Sequence, residues 1–346
     1  FYTMIHRRFV ILLILVSSIF LISIMPAEAS SNPNLFVSAE NSQFDNRFSG
    51  SMVVEVIIRD SNIHDTDQGK GEPDVTLNGK SLRMVQSSDG NWYAYFANID
   101  KAKVADSTQS PTSGKGLDFG VFCSKDTAST VFGISLSETQ GFAVPRSSGL
   151  DGYTNGDTSF HQCTGTPTSS TNLNNVVRNA KSINTNPNIP TGQIGLDSDA
   201  WPLIQLFSFN DVKIQYNAGG NPQSIDLKYD DSDNISFNLD RIMYPQNSEV
   251  FLTVNDFQLN QDPTDEDSWT FNIDSPVATF YQAYDESGSD SANTNAGLVN
   301  LIPNLSNLGF KDNGKLSMTL GNIVKLKSNN EQPETFVDDA IPGNSF

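Results

Sequence analysis

The chain has 346 residues, a length that accommodates about two domains. It contains 40 acidic and 21 basic residues, which gives a formal net charge of −19. This balance disfavours nucleic acid and anionic lipid as partners, because binding to phosphate needs clustered lysine and arginine. It favours a surface that attracts cations, and it fits equally well a surface that is simply kept soluble by its charge.

The first 29 residues have the pattern of an export signal. Met4 is the expected initiator, residues 6–8 (HRR) are basic, and an almost unbroken apolar run covers residues 9–25. Ala27 and Ala29 provide a small-residue cleavage site, so we expect a cut after Ala29 and an exported mature chain. The alternative is a permanent membrane anchor, since the apolar run approaches the length that spans a bilayer.

The sequence contains two cysteines, Cys123 and Cys163. In an exported chain, an even pair in one domain most simply forms a disulfide. Closing a loop of about 40 residues would stabilise the fold by roughly 4 kcal/mol in the chain-entropy model. The alternative is a metal site through His161 and Cys163, but two ligands without a partner cluster do not complete a zinc site.

From Leu35 onward, short segments alternate between apolar and polar residues, which is the period-2 pattern of β-strands. Residues 52–59 form a clear strand with one more strongly apolar face. The pair Asn78-Gly79 separates two strand-like segments and tolerates the positive φ of a two-residue type I′ turn, so it predicts a hairpin.

An aromatic strand is predicted over residues 91–97. Trp92 and Phe96 would lie on one of its faces, and Tyr93 and Tyr95 on the other. Such a strand more often fills a sandwich core than binds a ligand. Strands are also predicted over 117–123, 130–136, 201–216, 277–284, 297–308 and 315–326, and one short helix over 174–181.

One unit occurs twice in the chain: a strand, an acidic loop and a returning strand. The first copy covers residues 54–78 and the second covers 250–272. Repetition at this spacing favours tandem domains of one type. Together with short strands separated by turn signals, it predicts an all-β chain of tandem immunoglobulin-like antiparallel β-sandwich domains.

The predicted domain boundary is the Gly- and Asn-rich segment 217–222. The first sandwich then covers residues 34–217 and carries a long insertion at about 106–200, which the disulfide would help to hold. The second covers residues 222–346. We expect it to be incomplete and the chain to be part of a longer protein, because the sequence begins without Met and ends without an evident terminal cap.

Both acidic loops are candidate calcium sites, because calcium takes six to eight oxygen ligands in flexible geometry. Neither loop has EF-hand spacing, and Asp and Asn are also ordinary turn residues, so solvated turns are the alternative. Asp230, Asp231 and Asp233 form a third candidate. The candidate ligands are Asp60, Asp65, Asp67, Glu72 and Asp74 in the first loop and Asp256, Asp262, Asp265 and Asp267 in the second.

Two sequons predict N-glycosylation, at Asn234 and Asn304, although three-residue patterns also arise by chance. Catalytic motifs are absent from the sequence. Beyond the leader, His64 and His161 are the histidines, and neither Gly-x-Ser-x-Gly nor His-Glu-x-x-His occurs. We therefore expect no enzyme activity and no organic cofactor, while paired carboxylates leave glycoside hydrolysis open.

Three long stretches resemble the surface-layer (S-layer) proteins of ammonia-oxidising archaea. They are RDSNIHDTDQGKGEPDVTLNGKSLRMVQSSDGNWYAYF, WPLIQLFSFNDVKIQYN and FLTVNDFQLNQDPTDEDSWTF. The resemblance extends from about residue 34 to residue 280. It implies a signal peptide, strings of immunoglobulin-like domains, cation binding and assembly into a two-dimensional lattice that covers the cell. Proteins of this kind are generally longer than this chain and reach the membrane near their C-terminus.

On this basis we expect the N-terminal part of an S-layer glycoprotein, a structural protein at the cell surface. Its partners would be further copies of itself and divalent cations, with membrane anchoring through regions outside this sequence. One alternative is a secreted adhesin that binds glycans through Trp92, Tyr93, Tyr95 or Trp269. The other is a secreted enzyme that acts on polysaccharide.

Overall fold

β-Strands dominate the part of the chain that the computed structural model describes. The elements given below belong to Asn34–Phe346, one of two compact units; the other is Phe1–Pro33. The predicted leader, the predicted helix over 174–181 and both sequons lie outside the described residues. Those residues are 33–40, 45–68, 70–108, 117–131, 133–144, 156–163, 203–220, 222–229, 236–246, 248–249, 251–255, 260–262, 266–271, 279–284, 299–300 and 334–337.

Strands are numbered in chain order. They are β1 (Leu35–Val37), β2 (Arg47–Phe48), β3 (Val54–Ile58), β4 (Val75–Leu77), β5 (Lys80–Ser81), β6 (Val85–Gln86), β7 (Trp92–Asn98), β8 (Val121–Cys123), β9 (Gly141–Val144), β10 (Ile204–Phe207), β11 (Asp211–Asn217), β12 (Pro222–Tyr229), β13 (Ser236–Leu239), β14 (Leu252–Asn255), β15 (Glu266–Phe271), β16 (Thr279–Tyr284), β17 (Val299–Asn300) and β18 (Glu334–Val337). The helical elements are α1 (Ile99–Ser107), a 3₁₀ turn (Lys125–Thr127) and α2 (Ala128–Val131).

Sheet 1 is a seven-stranded sheet in the order β1-β3-β7-β10-β9-β8, with β6 paired to β7 outside this path. Every residue of β3 and β7 is buried, so both faces of the sheet centre are covered. On one face, Val54, Trp92 and Phe96 pack in a core with Val212 and Ile214 of β11. The predicted burial of Trp92 is confirmed, since its side chain is 0% exposed.

The opposite face of sheet 1 is covered by α1 and the segment that follows it. Asn98 ends β7 and caps this helix, because its side-chain oxygen accepts hydrogen bonds from the N–H groups of Asp100 (3.0 Å) and Lys101 (3.2 Å). Ala102 and Ala105 are then buried in the second core. The small side chains let the helix backbone approach the sheet closely.

Sheet 2 has five strands in the order β2-β12-β11-β4-β5. The predicted Asn78-Gly79 hairpin is confirmed: these residues connect β4 and β5 with φ angles of 50° and 77°. Asn78 also joins the turn to β11. Its Nδ2 donates to the carbonyl oxygen of Asp211 (2.8 Å), and its Oδ1 accepts from the N–H of Lys213 (2.8 Å).

The predicted domain boundary at 217–222 is the turn of a β-hairpin. β11 and β12 pair antiparallel from Asp211↔Lys228 to Asn217↔Pro222. β12 therefore belongs to sheet 2, beside strands of the predicted first domain. The division of the chain into two sandwich domains stays a prediction.

Both large sheets are mixed, so the prediction of purely antiparallel sheets is wrong. β10 pairs parallel with β7, and β12 pairs parallel with β2. Parallel neighbours need a long crossover, which the chain between β7 and β10 supplies. Part of the predicted insertion at 106–200 belongs to this sheet, because β8 and β9 extend sheet 1 beyond β10.

The predicted strand over 130–136 is also wrong. Its first residues belong to α2, which directly follows the 3₁₀ turn. The hydroxyl of Thr127 donates to the carbonyl oxygen of Ser124 (2.7 Å). The hydroxyl of Thr130 donates to the carbonyl oxygen of Thr127 (2.8 Å). Such bonds across three residues form in helical turns and compete with extended structure.

The predicted disulfide between Cys123 and Cys163 is confirmed, with Cα atoms 5.4 Å apart. It joins the end of β8 to the segment 156–163. His161 runs beside β8, and its N–H donates to the carbonyl oxygen of Phe122 (2.8 Å). Because Cys163 is oxidised, it provides no thiolate for the alternative metal site.

Two smaller sheets complete the described structure. β13 and β14 form a two-stranded hairpin, and β15 to β18 form a sheet in the order β17-β16-β15-β18. β14 and β15 belong to the second copy of the repeated unit. Within the described ranges, no helix has the length and apolar character needed to cross a bilayer.

Gly141 of β9 gives a test of the packing around the disulfide. Its φ is 142°, and an added Cβ would overlap the ring of Phe160. We expect Gly141→Ala to lower the free energy of unfolding by about 2–4 kcal/mol, through backbone strain and overpacking. Urea unfolding measures this change, and Gly220→Ala, with no atom within 4 Å of the added carbon, is the matched control. Equal stability of the two variants would contradict the packing.

Candidate functional site

The first acidic loop follows β3 and is anchored at Asp60, which is 7% exposed. One carboxylate oxygen accepts hydrogen bonds from the N–H and the side-chain amide of Asn62 (both 2.9 Å). The other accepts from the hydroxyl of Tyr216 (2.8 Å) and from the amide of Asn34 (3.3 Å). Asp60 thereby links the end of β3, the loop, β11 and the start of the chain's described part.

The loop backbone is fastened to sheet 1 by two buried side chains. Trp92 Nε1 donates to the carbonyl oxygen of Ile63 (2.9 Å). Gln86 Nε2 donates to the carbonyl oxygens of Ile63 (3.2 Å), Asp65 (3.1 Å) and Gly90 (3.1 Å). Since both donors come from strands with regular backbone pairing, the loop is held by the sheet and does not depend on its own turns alone.

Glu72 is bound by an arginine. Its carboxylate lies 2.7–3.0 Å from Nε and Nη2 of Arg83 in a two-pronged contact, and it also accepts from the N–H of Met84 (2.8 Å). The guanidinium matches the carboxylate plane and neutralises its charge. At Glu72 the positive charge beside the carboxylate therefore comes from the Arg83 side chain.

The remaining carboxylates of the first loop do not converge on one another. Asp65 forms an ion pair with Lys70 (3.2 Å), Asp74 accepts from the side-chain amide of Asn217 (2.7 Å), and Asp67 is exposed. Among the described residues, no group of three or more Asp, Glu, His or Cys side chains is arranged to hold a metal ion. The calcium expectation for this loop stays a prediction.

The second acidic loop is described in part. Asp256 and Asp265, like the third candidate group at residues 230–233, lie outside the described residues. Asp262 and Asp267 are fully buried, and Asp267 Oδ2 accepts from the N–H groups of Gln261 (2.5 Å) and Asp262 (3.2 Å).

Gln261 joins the second loop to the residues just before β3. Its side-chain oxygen accepts from the hydroxyl of Ser51 (2.9 Å), and its carbonyl oxygen accepts from the N–H of Val53 (3.3 Å). The second repeated unit therefore contacts the residues immediately before β3, where the first unit begins. The repeat in the amino-acid sequence does not indicate that these segments are in contact.

Glu55 is a buried glutamate that the sequence patterns do not indicate as a site residue. It faces Tyr95 across the β3–β7 pair and accepts a hydrogen bond from the tyrosine hydroxyl (2.6 Å). Burial, then the charge of Glu55, raises the pKa of Tyr95, and Asp262 contributes in the same direction. The sequence feature that indicates a buried polar residue here is the single glutamate within an otherwise apolar strand, VEVII.

The aromatic residues considered for glycan binding are mostly internal. Trp92, Tyr93 and Tyr95 are all buried, so these three do not form an exposed aromatic platform. Trp269 lies in β15, and its side chain is outside the described residues.

Neither a protein-family model nor a curated protein matches the sequence.

The Asp60–Tyr216 hydrogen bond provides a test of the loop anchor. We expect Tyr216→Phe to lower the free energy of unfolding by about 1.5–3 kcal/mol, because a buried carboxylate loses a donor. Tyr229→Phe is the matched control. Its hydroxyl donates to a neutral carbonyl, that of Gly50 (2.8 Å), so we expect about 0.5–1.5 kcal/mol. Chemical denaturation measures both changes, and a Tyr216→Phe loss no larger than that of the control would contradict the anchor.

Alkaline pH should destabilise the fold. Burial is the first cause that raises the pKa of Tyr93, Tyr95 and Tyr216, and hydrogen bonds or charge from Asp89, Glu55 and Asp60 add to it. The folded state therefore keeps protons that the unfolded chain releases. This stability is fully present below about pH 10 and is lost as the pH rises toward the folded-state pKa values.

Urea midpoints and tyrosinate absorbance from about pH 9 to 12 measure the effect. We expect the midpoint to fall as the pH rises in this range, and Tyr93→Phe to reduce the fall. A native protein in which every phenol ionises with an ordinary midpoint would contradict the assignment.

Proposed function

We propose that the chain is the N-terminal part of an S-layer glycoprotein, a structural protein that self-assembles into a two-dimensional lattice at the cell surface. The three long stretches of resemblance suggest the family. The observation that carries the proposal is the fastening of the acidic loop by Asp60, Gln86 and Trp92, which gives a surface loop a fixed shape. A lattice repeats one contact in every copy, so its subunits need such surfaces.

We also propose that sheets 1 and 2 form an immunoglobulin-like sandwich and that the second repeated unit builds another domain of this type. The support is the packing of the two sheets on a shared core and the recurrence of the strand–acidic loop–strand order. The parallel pairs and α1 would then be additions to the basic sandwich.

Calcium is part of the proposal, and its support comes from the sequence. Copies with a net charge of −19 repel one another, and divalent ions between acidic surfaces would reduce that repulsion. Because Asp60 and Glu72 already have protein donors, we assign the cation to contacts between copies and to the second loop. N-glycans at Asn234 and Asn304 belong to the same proposal, since the chain would pass through export.

Self-association with and without calcium tests this function. We expect the purified full chain to form ordered sheets or extended assemblies in calcium, visible by negative-stain electron microscopy. A chelator should disperse them, while the near-ultraviolet circular dichroism of the aromatic core persists. Potassium chloride at equal ionic strength is the control for charge screening.

Two results would contradict the proposal in different ways. A chain that stays monomeric in calcium at every concentration would remove the lattice function. An assembly that survives full chelation would be consistent with the lattice function and would contradict a role for calcium in it.

A further inference from the structure

The turn between β4 and β5 carries a chemically reactive dipeptide. In an asparagine–glycine pair the backbone nitrogen of the glycine can attack the asparagine side-chain amide, because glycine has no side chain to hinder the approach. Asn78 and Gly79 are both exposed, and a Cβ added at Gly79 would meet no atom within 4 Å. Water and hydroxide therefore have open access to the backbone nitrogen of Gly79.

The side chain of Asn78, in contrast, is bound to β11. Its Nδ2 donates to the carbonyl oxygen of Asp211 (2.8 Å), and its Oδ1 accepts from the N–H of Lys213 (2.8 Å). The backbone N–H of Asn78 also donates to the carbonyl oxygen of Lys213 (2.9 Å). The paired register of β4 with β11 ends at Leu77↔Ile214, so the carboxamide extends the bonding between these strands by one more residue.

These bonds oppose the reaction. Cyclisation requires Cγ of Asn78 to come within bonding distance of the Gly79 nitrogen. The backbone of the turn is fixed at φ angles of 50° and 77°, so the side chain has to do the moving. It can turn toward Gly79 only after both of its hydrogen bonds to β11 have broken, and each broken bond lowers the population of the reactive conformation.

We propose that Asn78 is a deamidation site that the fold protects and that reacts when the β4–β5 hairpin separates from β11. In the reaction the Gly79 nitrogen forms a bond to Cγ of Asn78 and the Cγ–Nδ2 bond breaks. Ammonia leaves with the proton of the Gly79 N–H. Water then opens the cyclic imide at one of its two carbonyl groups, which yields aspartate or isoaspartate. Water is the co-reactant, and no electrons are transferred.

The product does not restore the contact with β11. Aspartate at position 78 lacks the Nδ2 donor and places a carboxylate oxygen against the carbonyl oxygen of Asp211, where two acceptors repel each other. Isoaspartate adds a backbone atom, which changes the geometry of the turn. Since β5 is an edge strand of sheet 2, deamidation converts a transient opening of this edge into a permanent one. This inference is independent of the lattice function, because it concerns a single chain.

Peptide mapping of the full chain measures the reaction. Trypsin releases residues 71–80, in which Asn78 is the one amide side chain, so a change from amide to carboxyl mass in this peptide identifies the site. In mildly alkaline buffer we expect Asn78 to react more slowly in the folded protein than in urea by about tenfold or more, because two hydrogen bonds must break first. Equal rates in the folded and the unfolded chain would overturn the protection.

The sequence provides two matched dipeptides, Asn155-Gly156 and Asn313-Gly314. In urea all three pairs should react at similar rates, because the unfolded dipeptide then determines the chemistry. If Asn78 were slow in urea as well, its neighbours in the sequence and not its bonds to β11 would protect it, and the proposal would be wrong.

Asn78→Asp tests the consequence, because it is one of the two products. We expect its urea midpoint to lie below that of the wild type by about 0.5 M. Asn46→Asp is the matched control. Asn46 also has a positive φ, 53°, and its amide lies farther from its acceptor, the carbonyl oxygen of Asp226 (3.4 Å), so we expect a smaller shift.

A midpoint of Asn78→Asp equal to that of the wild type would overturn the conclusion that the modified hairpin stays detached. If Asn78→Asp does not fold, the wild-type chain can be deamidated in urea and refolded. The fraction modified at position 78 should then be enriched among the molecules that trypsin cleaves after Lys80 under native conditions. Equal cleavage of modified and unmodified chains would contradict the proposal.

Discussion

The burial of sheet 1 on both faces is the constraint on which the rest of the structure depends. Side chains of β3 and β7 contact two different cores, so each polar group there needs a partner inside the protein. Glu55 obtains the hydroxyl of Tyr95, and Asn98 binds the first turn of α1. Polar residues of β3 and β7 are thus bonded to the neighbouring strand and to the first turn of the helix.

The composition of the acidic loop suggests a cation site, whereas its geometry shows carboxylates that are bound by donors of the protein. Its carboxylates would converge on a cation if nothing else satisfied them. Asp60 instead receives neutral donors from Asn62 of its own loop and from two other segments, through Tyr216 and Asn34, and Glu72 receives a guanidinium. These two carboxylates are therefore bound by donors of the protein itself. Acidic residues that remain at the surface are the ones still able to act between molecules.

Local patterns made the correct part of the fold predictable. The Asn78-Gly79 pair favours its turn through local backbone conformation alone. Two cysteines allow a single disulfide pairing. The alternation of residues 91–97 places Trp92 and Tyr93 on opposite faces of the strand. The remaining features have two causes, one local and one that depends on distant partners. The strand predicted over 130–136 has suitable side chains, but local hydroxyl bonds form a helical turn there. The Asp60–Tyr216 bond depends on sheet 2 packing against sheet 1, which no short window of sequence records.

The connections between remote segments also govern how the chain reaches this fold. Arg83 and Gln205 bond each other across 122 positions, and Asp60 and Tyr216 across 156. The chain must therefore be synthesised through β11 before these bonds can form, and contacts so far apart in sequence make folding slow. During that interval β3 and β7 have open edges and apolar faces, which are the surfaces through which incompletely folded chains aggregate.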